Sequence, residues 1–294
     1  MQIVITGSLG HIGKPLTETL VAQGHSVTVI SSNPNKEAAI QTLQATAAIG
    51  CLEDAAFLTA TFTGKDAVFL MIPPNFTETD QVAYYRRISQ NYAEAVRKSG
   101  VRRVVHLSSY GADQDRDTGF ILGSHHAEGL LNELSEVNLT HLRPGYFYYN
   151  LFGFIDLIKT AGFIAANYGG DDVIPLVAPR DIATAAAEEL VKPGSPLRYV
   201  ISDERTAQEI AQVLGKALGK PDLQWLVRSN EHMQQGLEQA GLPPHVIANL
   251  VAMGASLHNG VLLEEYLKNK PLTWGSIKLE DFAPEFAAVY NRQH

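Results

Sequence analysis

The chain has 294 residues, 45% of them hydrophobic, and a formal net charge of -8 at pH 7, enough apolar material for the core of one large domain or two coupled ones. The acidic balance and the lack of any basic run exclude the electrostatics by which proteins grip DNA or acidic membranes, so no direct nucleic-acid partner is expected. The single cysteine, Cys51, excludes an internal disulfide, the apolar stretches end well short of the roughly 18 residues of a membrane span, and Met1 opens without a signal-peptide pattern, so the expected location is the cytoplasm.

In chain order, short apolar runs alternate with longer helical patterns up to about Asn150. The runs are Ile3-Val4-Ile5, Val27 to Ile30, a weaker Ala47-Ala48-Ile49, Ala67 to Leu70, Val104 to Leu107 and Thr140 to Leu142. That alternation predicts parallel strands joined by crossover helices, and the absence of in/out alternation predicts strands covered on both faces. Leu16 and Leu20 share one face of a first helix, with Pro15 early enough to be tolerated, while Tyr84, Ile88, Tyr92 and Ala95 share one face of a longer helix ending near Gly100. Beyond Asn150 the pattern predicts a strand at Val173 to Val177, a helix over Asp181 to Val191, a last parallel strand at Tyr199 to Ile201, and helices over Ala207 to Leu218 and Pro244 to Leu257. The fold class is therefore α/β: a Rossmann-type doubly wound parallel sheet over residues 1–150, rejoined by 178–203, with a smaller, mainly helical domain from 151–177 and 204–294.

The first strand runs into Gly7-Ser8-Leu9-Gly10-His11-Ile12-Gly13 and a helix start. Gly7 supplies the turn, Gly10 lets backbone approach phosphates, and Gly13 allows close packing, which together put a pyrophosphate at the helix N-terminus where N–H groups point. The spacing is G-x-x-G-x-x-G, and its strand and helix context predicts dinucleotide binding. At the end of the second strand, where a carboxylate would hold a ribose 2′-hydroxyl, stand Ser31, Ser32, Asn33 and, nearby, Lys36. Hydroxyl and amide donors with one cation suit a 2′-phosphate, so NADP(H) is expected over NAD(H), although the same residues also suit a turn and a helix cap. No G-x-S-x-G, H-E-x-x-H or P-loop pattern occurs, and the ten histidines lack cysteine partners, so no metal site is expected.

The segments Thr6 to Gly13, Leu107-Ser108-Ser109-Tyr110-Gly111-Ala112 and Leu142-Arg143-Pro144-Gly145-Tyr146-Phe147-Tyr148-Tyr149-Asn150 resemble the NmrA-like branch of atypical short-chain dehydrogenases/reductases. Pro179-Arg180-Asp181-Ile182-Ala183 and the ending from Asp281 to Tyr290 extend the resemblance over nearly the whole chain. It implies that Gly7 to Gly13 cradle the pyrophosphate, that Ser31, Ser32 and Asn33 meet the adenosine ribose, and that Met71, Ile72 and Pro73 border the nicotinamide. By the same resemblance Ser108, Gly145, Tyr146 and Phe147 flank the nicotinamide and open toward the substrate.

Two departures qualify it. Where the family often carries Gly-Asp beside the adenine, this chain reads Gly50-Cys51, and Cys51 is expected to be a buried, inert thiol. Many relatives use Tyr-x-x-x-Lys, the lysine lowering the tyrosine pKa for proton exchange; counted back from Glu128, those positions hold Phe120 and Ser124. The one matching spacing, Tyr266 to Lys270, lies in the C-terminal region and reads as coincidence. His125, His126 and Tyr146 are the remaining weak candidates for proton transfer, and Tyr146, Phe147, Tyr148, Tyr149 and Phe152 either stack on a flat substrate or pack as core. The expectation is an NADP(H)-dependent oxidoreductase passing hydride to a quinone-like or small conjugated carbonyl acceptor, since the cofactor carries the chemistry and the protein positions the partners. The alternative is a non-enzymatic dinucleotide redox sensor that regulates a protein partner; a homodimer stays open, and a sugar-nucleotide epimerase is the weakest option.

Overall fold

The structure is a computed structural model that describes residues 1–192 and 194–292; position 193 of the expected 178–203 segment and positions 293 and 294 of the expected 204–294 segment lie outside the described residues. The strands are β1 (Gln2–Ile5), β2 (Ser26–Ser31), β3 (Thr46–Ile49), β4 (Ala67–Leu70), β5 (Arg103–Leu107), β6 (Asn138–Pro144), β7 (Tyr146–Phe147), β8 (Ile164–Ala166), β9 (Val173–Val177), β10 (Leu197–Val200), β11 (Asp203–Thr206) and β12 (Trp225–Val227). The helices are α1 (Gly13–Ala22), α2 (Glu37–Thr42), α3 (Ala55–Phe62), α4 (Gln81–Ser99), α5 (Ile121–Asn132), α6 (Ile155–Ala161), α7 (Pro179–Val191), α8 (Ala207–Ala217), α9 (Asn230–Gln239), α10 (Pro244–His258), α11 (Glu264–Lys268) and α12 (Leu279–Arg292).

Seven strands form one sheet in the order β10-β6-β5-β4-β1-β2-β3. The pairings from β3 through β6 are all parallel. At the far edge His141 N donates to Pro196 O and Gly145 N to Val200 O, so β6 and β10 advance together and are parallel too. The strand order reverses direction between β1 and β4, the point where open α/β sheets receive ligands at their carboxyl ends.

Two compact units divide the chain: residues 1–112, 123–143 and 182–198 form one, and 113–122, 144–181 and 199–294 the other. Relative to the expected borders, residues 113–122, 144–150, 178–181 and 199–203 belong to the second unit; the chain leaves β6 at Pro144 and pairs at once with β9 through β7, and β11 at 203–206 pairs with β9 as well.

In the first unit, Val4, Val68 and Val104 lie level across β1, β4 and β5 and join the core with Ile88 and Tyr92 of α4, Leu58 and Phe62 of α3, and Ala127 and Leu131 of α5. Alternate residues face the other way, as a pleated strand requires, and Ile3, Ile5, Phe69 and Val105 are buried there as well. That second face also carries Arg103, whose guanidinium donates to the Glu189 carbonyl of α7 at 2.8 Å, to its carboxylate at 3.2 Å and to Thr140 Oγ1 at 2.9 Å. Helix starts follow local chemistry: Asp54 and Asp80 cap α3 and α4 by accepting from Phe57 N and Ala83 N, and Gly100, at φ +75°, ends α4 in the left-handed conformation.

The second unit is mainly helical but also holds two small sheets, β11-β9-β7 and β12-β8. The capping box of Thr206 and Glu209 starts α8, whose Ile210, Ala211 and Leu214 are buried. Asp181 organises the 274–277 turn: its carboxylate accepts from Ser202 Oγ at 2.6 Å and from Ser276 N and Ile277 N, both at 3.1 Å. A Cβ at Gly275 would lie 2.2 Å from that carboxylate, which is why the turn carries a glycine there. Among the described residues no single helix is long and apolar enough to cross a membrane.

Candidate functional site

The end of β1 is tied to the end of β4 before the glycine loop begins. Thr6 N donates to Phe69 O at 3.0 Å, Met71 N donates to Thr6 Oγ1 at 2.8 Å, and the Met71 carbonyl accepts from Tyr92 OH at 2.7 Å. Gly7 then turns at φ +92°, where a Cβ would lie 2.0 Å from Met71 Sδ. Ser8 follows at φ +55°, an uncommon conformation for a residue with a side chain. Its N–H donates to Ile30 O and its hydroxyl to Ser31 Oγ at 3.0 Å. A Cβ at Gly13 would lie 2.0 Å from the Ser8 carbonyl, so only glycine lets α1 sit this close to the loop. Gly10, by contrast, is exposed, and a Cβ there would meet nothing nearer than 3.5 Å. Leu9, His11 and Ile12 complete the turn; Ile12 stands at the N-cap with no side-chain cap, and the first turn of α1 holds no acidic residue. An acid-free helix start behind an open glycine turn favours an anion.

At the end of β2, Ser31 is buried and serves the loop, accepting from Asn33 N at 3.2 Å besides Ser8. Ser32 and Asn33 are exposed. The Asn33 Oδ1 accepts from Asn35 N at 2.9 Å, capping the short turn of 3-10 helix at Pro34–Lys36. Thus the capping role is occupied while the Ser32 hydroxyl and the Asn33 amide face outward. Ile72 is buried behind Met71, and the Pro73 carbonyl accepts from Tyr84 OH. Cys51, expected buried, is exposed. β3 is the edge strand and half-open throughout, so the turn after it lies in solvent.

Where β5 and β6 end, the structure builds a cluster that sequence reasoning missed. The parallel register sets His106 beside His141, and the period of two then brings Ser108 and Arg143 onto the same face, under α5. Glu128 and Asn132, one turn apart on α5, point onto them. Ser108 Oγ donates to Glu128 Oε1 at 2.5 Å; Arg143 Nε donates to the same oxygen at 2.9 Å and Nη2 to Oε2 at 2.6 Å. All three residues are less than 10% exposed. Burial alone would raise the Glu128 carboxyl, but the Arg143 hydrogen bonds and the neighbouring positive charge outweigh it and hold it below the ordinary carboxylate value. Deeper in, His106 Nδ1 lies 3.0 Å from His141 Nδ1, and His141 Nε2 lies 3.1 Å from Asn132 Oδ1. Burial, reinforced by His141, depresses His106 to about 3. The signal was present as polar residues two apart, His106 with Ser108 and His141 with Arg143, at the ends of strands whose neighbouring positions are largely apolar.

The proton-transfer candidates are engaged elsewhere. His125 Nδ1 lies 2.9 Å from the Ala112 carbonyl, and His126 lies 3.1 Å from the Arg86 guanidinium, with burial, Arg86 and His125 all lowering its pKa. In the second unit Gly145 packs so tightly that a Cβ would lie 2.4 Å from Pro175 O, and Tyr146 and Phe147 pair with Leu176 and Val177 of β9. Burial pushes the Tyr146 phenol up to about 12, although its hydroxyl accepts from Tyr168 OH at 3.3 Å. The aromatic run divides: Tyr148 stacks on Phe282 and Phe152 on Phe286 as core, while Phe147 and Tyr149 form a half-buried pair with centroids 5.1 Å apart. Tyr266 and Lys270 both bind the carboxylate of Glu204, at 2.5 and 2.7 Å. Burial and that bond raise the phenol pKa, the opposite of what a proton relay requires. Among the described residues no group of three or more His, Cys, Asp or Glu is arranged to hold a metal.

Residues 7–153 match the family described as NAD(P)H-binding. A curated relative, (4-alkanoyl-5-oxo-2,5-dihydrofuran-3-yl)methyl phosphate reductase of Streptomyces griseus subsp. griseus, is 29% identical over 227 residues, 75% of each chain. Among solved structures, an NADPH-dependent quinone oxidoreductase from Escherichia coli in complex with NADPH superposes with a TM-score of 0.80 at 22% identity, covering 96% of this chain and 99% of that one. Citrobacter sp. triphenylmethane reductase gives 0.79 at 18% identity, covering 98% and 100%. The negative transcriptional regulator NmrA in complex with NAD gives 0.72 at 13%, covering 98% and 95%.

Proposed function

The chain belongs to the NAD(P)H-binding family, with the fold of the NmrA-like atypical short-chain dehydrogenases/reductases, and from that premise we propose that it is an NADP(H)-dependent oxidoreductase acting on a quinone-like or small conjugated carbonyl acceptor. The observation that carries the reading is the glycine loop of Gly7 to Gly13, open at Gly10 and closed by a helix start without acid or cap. When bound, the reduced nicotinamide supplies the hydride. The protein's own share is to hold and orient: the loop N–H groups and the α1 terminus take the pyrophosphate, and Ser32, Asn33 and Lys36 take a 2′-phosphate, with no carboxylate at residues 31–36. Met71, Ile72, Pro73 and Ser108 border the nicotinamide. Support for the acceptor class comes from the relatives' printed substrates, an oxo-dihydrofuran, a quinone and a triphenylmethane dye, all conjugated. No Tyr-x-x-x-Lys step is needed, which accords with Phe120 and Ser124 at the counted positions. We place the protein in the cytoplasm, working on a small molecule.

Titration with NADPH, NADP, NADH and NAD, followed by NADPH oxidation against quinones, dyes and enals, tests the reading. Tightest binding by the phosphorylated pair with turnover of at least one acceptor is expected. Binding without turnover across the panel overturns it in favour of a dinucleotide sensor, which Phe120 and Ser124 also favour; equal affinity for oxidised and reduced forms removes the sensor in turn, since such ligands shift no equilibrium.

A further inference from the structure

Ser108 follows the last residue of β5, at the carboxyl edge shared with the glycine loop and one strand from the point where the strand order reverses. A serine hydroxyl has one hydrogen to give and two lone pairs to receive with. The hydrogen is committed: it goes to Glu128 Oε1 at 2.5 Å, and that oxygen is itself fixed by Arg143 Nε. Glu128 cannot turn away, because Arg143 Nη2 holds its other oxygen at 2.6 Å and the guanidinium and carboxylate are both buried. Nor can it take a proton readily, since the paired guanidinium favours the charged form. The Ser108 backbone donor is likewise spent, its N–H donating to Leu142 O at 2.8 Å. What remains of Ser108 is acceptor capacity alone.

Resting on the NADP(H) reading above, we propose that Glu128, clamped by Arg143, is a positioning residue that fixes the Ser108 hydroxyl as a hydrogen-bond acceptor for the carboxamide N–H of the nicotinamide. Ser108 is then excluded as a donor to the substrate carbonyl. The carboxylate acts through the serine by setting the direction of one hydrogen bond, and the ligand group opposite must be a donor.

The test compares NADPH with reduced 3-acetylpyridine adenine dinucleotide phosphate, in which a methyl group replaces the carboxamide nitrogen. By fluorescence titration the unaltered protein should bind NADPH about tenfold tighter, the worth of one neutral hydrogen bond. In Ser108→Ala, which leaves the buried ion pair in place, the ratio should fall to about one, and Ser108→Thr should restore it. Glu128→Gln should lower the ratio as well, and adding it to Ser108→Ala should lower it no further; thermal melts establish that each variant is folded. A ratio of one in the unaltered protein, or an undiminished ratio in Ser108→Ala or in folded Glu128→Gln, overturns the assignment while leaving NADPH binding standing. Failure of the unaltered protein to bind NADPH overturns both this assignment and the reading beneath it.

Discussion

The glycine loop and the Ser108–Glu128–Arg143 cluster sit at the carboxyl edge of the same sheet and are built from opposite materials. In the loop the chemistry belongs to the backbone: side chains are absent at Gly7, Gly10 and Gly13, two of those absences are sterically required, and the third leaves open space. In the cluster every active group is a side chain, drawn from two strands and a helix and buried. A loop of that kind is costly to ligand binding when filled, whereas a buried ion pair is costly to folding when halved. The difference separates two kinds of sensitivity along one edge.

The largest effect should come from halving the pair. Arg143→Met leaves a buried carboxylate without its partner and should cost about 3–5 kcal/mol in chemical denaturation, while the double change Glu128→Met with Arg143→Met should recover most of it. If the single variant melts like the unaltered protein, the cluster is not the folding element described. Gly13→Ala should come next, losing about 1–3 kcal/mol from forced repacking against the Ser8 carbonyl. Its dinucleotide affinity, measured calorimetrically on folded protein, should fall further than that loss explains.

A third effect is set by pH. His106 stays neutral in the folded state down to about 3, whereas the unfolded histidine takes its proton near 6.5. Between those values the unfolded state binds more protons, so stability is complete above about 6.5 and declines as pH falls, by up to about 1.4 kcal/mol per pH unit for one proton. Glu128, held below its ordinary value, adds to the decline at the acid end of that window. Denaturation midpoints in His106→Asn should show a shallower slope there; an unchanged slope means His106 does not carry it. Smallest, Asp80→Ala should remove the α4 cap for about 1 kcal/mol and leave NADPH affinity unaltered, since the cap serves only Ala83 N.

The same contrast governs what could be read from sequence. Backbone chemistry leaves its mark in consecutive residues, so the strand, the three glycines and the helix start were visible together, as were the fully apolar runs of the sheet. The cluster joins Ser108 to Glu128 and Glu128 to Arg143 across 20 and 15 residues, distances that only the β5–β6 register closes. Cys51 was misjudged because Ala47 to Ile49 read as a strand without revealing that it lies at the sheet edge. The aromatic run could not be divided beforehand, since Tyr148 and Phe152 find their partners in Phe282 and Phe286, more than a hundred residues on. Strands of two and three residues, such as β7 and β8, are too short to show a period at all.

The pairing of Arg103 with Glu189 bears on how the chain is made. The cation lies in β5, and its carboxylate is 86 residues later, beyond the whole 144–181 stretch of the second unit. At ribosomal rates that interval lasts roughly 4–17 s, during which the nascent sheet carries a guanidinium without its carboxylate partner. Closing so long a loop costs little more than closing a short one, so the delay is one of synthesis rather than of search. The first unit is therefore no autonomous cotranslational folder: the face of its sheet at Arg103 stays uncovered until Glu189 of α7 has been made, after the 144–181 stretch, and fragments ending before Glu189 should remain protease-sensitive however complete their glycine loop.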